Sequence, residues 1–337
     1  MSLLRLMKIN DINISEIFNR NFKWIKIFIM IAAYGYLIYT FINFEHYEEF
    51  SSYFKNYGLE NVKYLLFCLL LMPLNWFLEA TKWREVLKSV QKVSFWTSIK
   101  SVLIGLTSGF FTPNRVGEPV GRTFILKDGN KTKGVICSLI CTLSQTFATL
   151  FFVMLSLLGV AQYIPHIDGD EISLIRNVAV IGLVLVSVLY FTLPFWIRKI
   201  KSNSQKLKNI IEAISLISYR RLLIVSLYSI LRFGVYTFQY YLMLRFFSID
   251  MGMLLALIII PINYFLVSIT PSVAFAEIGI RGTYAILLLG SFTSNTVGVA
   301  LSAVGLWFLN YVIPMLIGSL LLIKTNRNEK NTDTLGR

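Results

Sequence analysis

The sequence predicts an all-α, polytopic integral membrane protein, and its composition and the length of its apolar runs carry that prediction. Hydrophobic residues make up 55% of the 337-residue chain, charged residues make up 15%, and the mean hydropathy is +0.65. In soluble domains about a quarter of the residues are charged. Several apolar runs reach the roughly 20 residues that a helix needs to cross a bilayer. We therefore expect membrane-spanning helices and no soluble domain large enough to have its own core.

Seven long apolar runs give the candidate spans in chain order. They lie near 24–43, 62–80, 134–163, 175–197, 222–247, 252–270 and 297–323, and two shorter runs lie at 99–111 and 283–292. Six of the long runs predict full crossings. The run 252–270 is long enough to cross as well, so the predicted number of transmembrane helices is six to eight.

The charges between the runs predict which side of the membrane each loop occupies. The segments 1–26, 82–100, 127–133, 198–221 and 324–337 hold 24 of the 32 Lys and Arg residues. The segments 44–63, 164–176 and 248–251 hold only three basic residues and are rich in Asp and Glu. Because cytoplasmic loops carry the excess of Lys and Arg, the first set is predicted to be cytoplasmic and the second external. Both termini then lie in the cytoplasm, and we expect a multi-pass protein of the cell (inner) membrane without a cleavable signal peptide.

This side assignment requires two hairpins that enter the membrane and return. Residues 99–126 begin and end on the cytoplasmic side, and residues 252–292 begin and end outside. We expect each to be a broken, re-entrant helical hairpin, inserted from opposite faces. Such a pair is typical of an inverted-topology repeat, in which substrate sites lie where the broken helices meet.

The domain organisation follows from these assignments. Residues 1–23 form a basic cytoplasmic N-terminus, and residues 24–163 form the first membrane half with hairpin 99–126. Residues 164–221 comprise an external loop, the span 175–197 and the basic linker 198–221, which is predicted to lie along the cytoplasmic lipid surface. The remainder of the second half is 222–323 with hairpin 252–292, and 324–337 form a disordered tail.

The same polar pattern occurs once in each predicted hairpin. Each copy has a Thr-Pro pair, then a Glu, and then an Arg four residues after that Glu: Thr112, Pro113, Glu118 and Arg122 in the first, and Thr270, Pro271, Glu277 and Arg281 in the second. Proline disfavours helix at the residue before it, so each Thr-Pro is expected to end one half-helix. Ionisable residues at membrane depth are costly and tend to mark function.

Two interpretations of the Glu and Arg pairs remain open. A spacing of four places both side chains on one helix face, where they can neutralise each other and allow a short helix to lie at depth. Alternatively, the guanidinium groups bind an anionic headgroup, with Arg122 and Arg281 on opposite sides of the phosphate and the carboxylates tuning the charge. The half-helix N-termini would assist. The predicted substrate-binding residues are Thr112, Pro113, Asn114, Arg115, Gly117, Glu118, Arg122, Arg232, Thr270, Pro271, Glu277, Gly279 and Arg281.

Other charged residues and glycines receive simpler interpretations. Arg232 lies in the middle of the run 222–247, and Glu118 or Glu277 are its expected partners if it is not a substrate contact. Glu79, Lys82 and Arg84 are interpreted as ordinary boundary charges at the end of the second run. The spacing of Gly105 and Gly109, and of Gly117 and Gly121, indicates close helix packing.

The residues at several of these positions resemble the motifs of a known family. The residues are Lys82-Trp83-Arg84 through Gly105, Phe110-Phe111-Thr112-Pro113, Gly117-Glu118 and Arg122, then Pro271 through Gly279-Ile280-Arg281 and a closing span with Pro314 and Gly318. Over roughly 20–325 the chain resembles the lysylphosphatidylglycerol synthase transmembrane (flippase-like) family. That family commonly has a Glu directly after the second-motif Arg, where this sequence has Gly282, so Glu277 is the candidate replacement.

The resemblance implies a lipid-translocating membrane domain without the cytoplasmic aminoacyl-transferase domain, for which we expect no room before Arg337. Carried onto this chain, its motif positions are Thr112, Pro113, Gly117, Glu118, Arg122, Pro271, Gly279 and Arg281. The leading hypothesis is translocation of a lipid or lipid-linked headgroup, with membrane lipids of anionic headgroup as partners. The alternatives are an intramembrane transferase using Glu118 or Glu277 as a base, and a non-transporting scaffold for a separate lipid-modifying enzyme. We expect no nucleic-acid partner, no cofactor, no metal and no catalytic residue, and an enzyme is the less favoured class.

Overall fold

The computed structural model describes residues 47–110, 112–163, 168–199, 217–272 and 276–322, together with Ile211 and Ile214. The chain divides into two compact units, 1–59 and 60–337; of the first, the structure describes only the helical residues 47–59. The predicted N-terminus 1–23, the first apolar run 24–43, most of the linker 198–221 and the tail 324–337 lie outside the described residues. Within the described part of the chain all regular secondary structure is helical, which confirms the predicted all-α class.

The helices follow the predicted order and mostly extend beyond the apolar runs. They are α1 Tyr47–Leu87, α2 Phe95–Phe110, the short α3 Gly117–Gly121, α4 Lys131–Val160, α5 Gly169–Lys199, α6 Tyr219–Phe246, α7 Met253–Ile269, α8 Ala276–Leu289 and α9 Thr296–Trp307. Helix α9 continues through a π-helical turn, Phe308–Val312, and the helical segment ends at Leu322. Single 3₁₀ turns lie at Pro113–Arg115, Asp128–Asn130, Ala161–Tyr163 and Gly290–Phe292.

Five helical segments are long and apolar enough to cross a membrane. They are Glu60–Leu87, Lys131–Val160, Gly169–Lys199, Tyr219–Phe246 and Thr296–Leu322, and each overlaps one of the predicted crossings over most of its length. The sixth predicted crossing, 24–43, lies outside the described residues. Helix α7 is apolar but has only 17 residues, which is at the short end of the range for a full span. The helices therefore support a multi-pass membrane protein.

The interior is built around α4 and α6. Helix α4 packs against α5, α6 and α7, and the segment beginning at α9 packs against α6 and α8. Tyr190 of α5 stacks on Phe147 at a centroid distance of 4.3 Å, and its hydroxyl is 2.7 Å from the Ser144 hydroxyl. Helix α1 joins α6 where the Gln239 amide donates to the carbonyl of Cys68 at 3.0 Å. In contrast, α5 exposes many Leu, Ile and Val side chains, as expected for a helix that faces lipid.

Residues 95–122 form a tight antiparallel hairpin, named hairpin 1. Its base is closed where the Ser101 hydroxyl donates to the carbonyl of Arg122 at 2.5 Å. A Cβ atom on Gly121 would collide with the Ser108 hydroxyl, and one on Gly109 would come within 2.9 Å of the Glu118 Cβ. This confirms the predicted use of the glycines, since larger residues would hold the two arms apart. Helix α2 also donates from Thr107 to the carbonyl of Met315 at 2.9 Å, which fixes hairpin 1 against the final helix.

Helices α7 and α8 form the second hairpin, named hairpin 2. Helix α7 ends at Ile269, and α8 begins at Ala276. The hydroxyls of Thr270 and Tyr284 lie 3.1 Å apart and tie the loop to the returning helix. Both Thr-Pro pairs thus stand where a helix has ended, as the sequence predicted, because Pro113 and Pro271 disfavour helix at the preceding threonine.

Candidate functional site

The tips of the two hairpins are hydrogen-bonded to each other. The Asn114 N–H donates to the carbonyl of Ser272 at 3.0 Å, and the Ser272 N–H donates to the Asn114 side-chain oxygen at 2.9 Å. Asn114 and Arg115 both adopt left-handed backbone conformations, with φ of 49° and 58°. Such conformations cost energy in non-glycine residues, and Asn tolerates them better than most. Tertiary contacts therefore hold the tip of hairpin 1 in a strained conformation.

Substitutions of Asn114 should separate the backbone contribution from the side-chain contribution. Asn114→Gly keeps easy access to positive φ but removes the acceptor for Ser272, which should cost about 1 kcal/mol. Asn114→Ala loses the acceptor and adds the left-handed penalty of about 1 kcal/mol more. Thermal unfolding of the purified protein should rank the parent above Gly and Gly above Ala. The reverse order of the two variants would show that the left-handed tip is not the populated conformation.

Three charged side chains meet directly behind these tips. Arg115 of hairpin 1 donates to both carboxylate oxygens of Glu277, with N–O distances between 2.8 and 3.2 Å. Arg281 donates to one oxygen of Glu277 from Nε at 3.2 Å and from Nη2 at 2.9 Å. The Arg115 guanidinium also stacks on Tyr311, 3.7 Å from the ring centroid. The π-helical turn of the last long helical segment includes Tyr311, so this segment helps to position Arg115.

A cavity of about 320 Å³ opens where the two tips meet. Its polar walls come from both hairpins, and its apolar walls come from the end of α7. The lining residues are Asn114, Arg115, Tyr264, Val267, Ser268, Ile269, Thr270, Pro271, Ser272, Glu277 and Arg281. This volume is within the range of small-ligand sites, and apolar walls with a few convergent polar groups are typical of them.

The charge of the cavity favours an anion. Two guanidinium groups share one carboxylate, so the trio of Arg115, Arg281 and Glu277 carries one positive charge in excess. Glu277 and Arg281 are buried, whereas 34% of the Arg115 side chain is exposed. A guanidinium fork can donate two parallel hydrogen bonds to a phosphate or carboxylate. The arrangement can therefore hold an anionic group at the cavity wall, in competition with the Glu277 carboxylate.

A second charged cluster lies at the base of hairpin 1. Glu79 of α1 contacts Arg122 at 2.7 Å, Lys82 at 2.7 Å and Arg232 at 2.9 Å. Arg122 also binds Glu118 at 2.5 Å. The side-chain oxygens of two amides complete the cluster: Asn75 accepts from Arg232 at 2.7 Å, and Gln145 accepts from Lys82 and Arg232 at 3.2 Å each. This cluster joins α1, hairpin 1, α4 and α6.

The structure distributes the sequence-predicted residues over these two places. The cavity is lined by six of them: Asn114, Arg115, Thr270, Pro271, Glu277 and Arg281. Glu118, Arg122 and Arg232 belong to the second cluster. The remaining four lie elsewhere on the hairpins; Thr112 accepts from the Gly117 N–H at 2.8 Å next to Pro113, and Gly279 is an exposed position of α8. Arg115 rather than Arg122 is the hairpin 1 guanidinium that shares Glu277 with Arg281.

Besides the placement of Arg122 opposite Arg281, two sequence interpretations were wrong. Glu79 and Lys82 are not boundary charges, because they are only 4% and 1% exposed and lie inside the second cluster. Arg232 pairs with Glu79 and not with Glu118 or Glu277. A signal for this was present, since Asn75, Glu79 and Lys82 follow one another at spacings of four and three and therefore share one helix face. The i to i+4 pairs Glu118–Arg122 and Glu277–Arg281 are confirmed.

Sequence reasoning also missed the neighbours that shape the cavity. Tyr264, Ser268 and Ser272 line it, and Tyr311 supports Arg115 from another helix. The sequence around a single polar residue near a helix end does not indicate which distant residue it will contact. Among the described residues, no group of three or more His, Cys, Asp or Glu side chains is placed to hold a metal ion.

The family of the chain follows from comparison with known proteins. The family model described as "Lysylphosphatidylglycerol synthase TM region" matches residues 24–318. The chain therefore belongs to this family of membrane domains, as its motifs indicated. No curated protein and no solved structure matches the chain.

Proposed function

We propose that this member of the lysylphosphatidylglycerol synthase TM-region family moves a lipid, or a lipid-linked molecule, with an anionic headgroup between the leaflets of the cell membrane. The observation that carries the proposal is the cavity in which Arg115 and Arg281, one from each hairpin, share Glu277. The family supports a lipid-related role in the membrane. An excess positive charge beside an apolar wall suits a phosphate that is attached to an acyl chain.

The contacts suggest how a headgroup would be held. Its phosphate would compete with Glu277 for the Arg115 and Arg281 donors. Thr270, Ser272 and Asn114 line the same wall and offer further hydrogen bonds to phosphate or glycerol oxygens. Val267 and Ile269 would contact the first carbons of the lipid tails. Since each guanidinium comes from a different hairpin, a bound phosphate would join the two halves.

The proposal includes a topology. The two hairpins would be re-entrant elements inserted from opposite faces, related by an inverted repeat, with both termini cytoplasmic. Their bonded tips would then lie near the middle of the bilayer, where inverted-repeat transporters bind substrate. Opening the tips on one side at a time would expose the cavity alternately to each leaflet.

Lipid exchange in vesicles tests the proposal. The purified chain is reconstituted in liposomes with a fluorescently labelled anionic phospholipid, and exchange between leaflets is followed by dithionite quenching. Removing one charge-assisted contact weakens binding by about 1.5 to 3 kcal/mol, so Arg115→Ala and Arg281→Ala should slow exchange about tenfold or more at limiting lipid. Arg245→Ala is the matched control, since Arg245 pairs with exposed Asp250 at the end of α6.

The same vesicles discriminate the alternatives. Exchange that is unchanged in both arginine variants would contradict the headgroup role. Mass spectrometry of the recovered lipid addresses the transferase alternative, which requires a covalently altered lipid. A scaffold would exchange no lipid by itself and would retain a partner protein after purification.

A further inference from the structure

The cluster around Glu79 carries more positive than negative charge although it is buried. Lys82, Arg122 and Arg232 contribute three cations, whereas Glu79 and Glu118 contribute two anions. Arg122 is only 4% exposed. An uncompensated charge in a buried place is costly, so such clusters normally contain a balancing ion or ligand. The cluster is thus one negative charge short of neutrality.

The cluster also contains hydrogen-bond donors without acceptors. The Nε and Nη1 atoms of Arg122 and the indole nitrogen of Trp83 are buried and have no hydrogen-bond partner. The Arg122 guanidinium lies 5.9 Å from the centre of the Trp83 ring, so the ring packs beside the charged group. A buried donor without an acceptor costs about 1 to 3 kcal/mol. Two such donors on one guanidinium point to a missing acceptor group.

We infer that this cluster is a second anion site, which binds a phosphate group independently of the cavity at the hairpin tips. A phosphodiester carries one negative charge, which matches the excess, and its several oxygens can accept from donors that point in different directions. An anion would reach the cluster from the side of Arg232, because 29% of the Arg232 side chain is exposed while Glu79 and Arg122 are buried. The inference concerns anion binding only, so a measurement of lipid exchange neither supports nor contradicts it.

Anion binding at the cavity between the hairpin tips must be removed before the second site is tested. The double variant Arg115→Gln and Arg281→Gln removes both cations of the cavity and leaves the second cluster intact. The full-length double variant is titrated in detergent with inorganic phosphate at constant ionic strength, and the melting temperature reports binding. A parallel set in nanodiscs compares phosphatidylglycerol with phosphatidylcholine. Phosphate or the anionic lipid should raise the melting temperature.

Adding Arg122→Gln to this background should weaken the effective phosphate affinity about tenfold, since it removes a charge-assisted donor. Arg232→Gln is the second variant, which keeps the test decisive if Arg122→Gln prevents folding. It removes one positive charge at the most exposed residue of the cluster, so it should also weaken phosphate binding. Arg245→Gln should leave the titration unchanged. Stabilisation by phosphatidylglycerol alone would identify the anion as a lipid headgroup, and stabilisation by free phosphate would identify a soluble anion. Equal stabilisation in the Arg122 and Arg232 variants, or none from either source, would overturn the inference.

Discussion

Replacing Glu79 by alanine should destabilise the protein by about 3 to 5 kcal/mol, because it breaks a buried ion cluster by removing one partner. Glu79 is the only carboxylate among the described residues that contacts Lys82, Arg122 and Arg232 together. Without it, three cations would face one another, with only Glu118 left to balance Arg122. Unfolding of the detergent-solubilised protein, followed by tryptophan fluorescence, measures the loss.

The control for this variant lies two turns further along the same helix. Glu85 pairs with Lys88 near the end of α1, where 45% of the lysine side chain is exposed. Exposed pairs contribute about 1 kcal/mol or less, so Glu85→Ala should have little effect. Combining Glu79→Ala with Arg232→Ala should recover part of the loss, since one of the uncompensated cations is gone. Equal losses at Glu79 and Glu85 would contradict a buried role for Glu79.

The helices of this fold were predictable because they depend on local properties. Long apolar runs mark helices whatever their neighbours are, so five predicted crossings coincide with five helical segments. Their ends were less predictable. Helix α1 begins at Tyr47 although its apolar run begins near 62, because a polar sequence can continue a helix beyond the bilayer core. The helix breaks at Thr112-Pro113 and Thr270-Pro271 were predictable from proline stereochemistry together with the polar residues that follow, since Pro73, Pro194 and Pro261 lie inside helices.

The site was predictable only where both partners lie on one helix. Glu277 and Arg281 are four residues apart, so helix geometry brings them together. Arg115 and Glu277 are 162 residues apart, and their contact depends on how the two hairpins dock. For the same reason, the sequence placed Arg122 opposite Arg281, although the docking of hairpin 1 directs Arg122 towards Glu79. The left-handed backbone at Asn114 and Arg115 has no sequence signal, because it is held by the bonds of Asn114 to Ser272 and of Arg115 to Glu277.

Replacing Glu277 by glutamine should make the stability of the protein depend more strongly on anionic lipid than that of the parent. The parent keeps Arg115 and Arg281 on one carboxylate, so its trio has an excess charge of one. In Glu277→Gln the excess rises to two, and each guanidinium loses its charged acceptor. In phosphatidylcholine nanodiscs the variant should lose about 3 kcal/mol relative to the parent. In phosphatidylglycerol nanodiscs a headgroup phosphate would replace the missing carboxylate and restore part of that loss.

Glu277→Gln should therefore bind anionic headgroups more tightly but exchange them more slowly. In the parent, the Glu277 carboxylate competes with the phosphate for the two guanidinium groups and so assists release of the phosphate. Without that competition the phosphate should dissociate more slowly. Asp250→Asn is the matched control, because Asp250 pairs with Arg245 at an exposed position. It should change stability by less than about 1 kcal/mol in either lipid. If Glu277→Gln loses the same stability in both lipids, no headgroup phosphate takes the place of the carboxylate, and the assignment of the cavity fails even if exchange is observed.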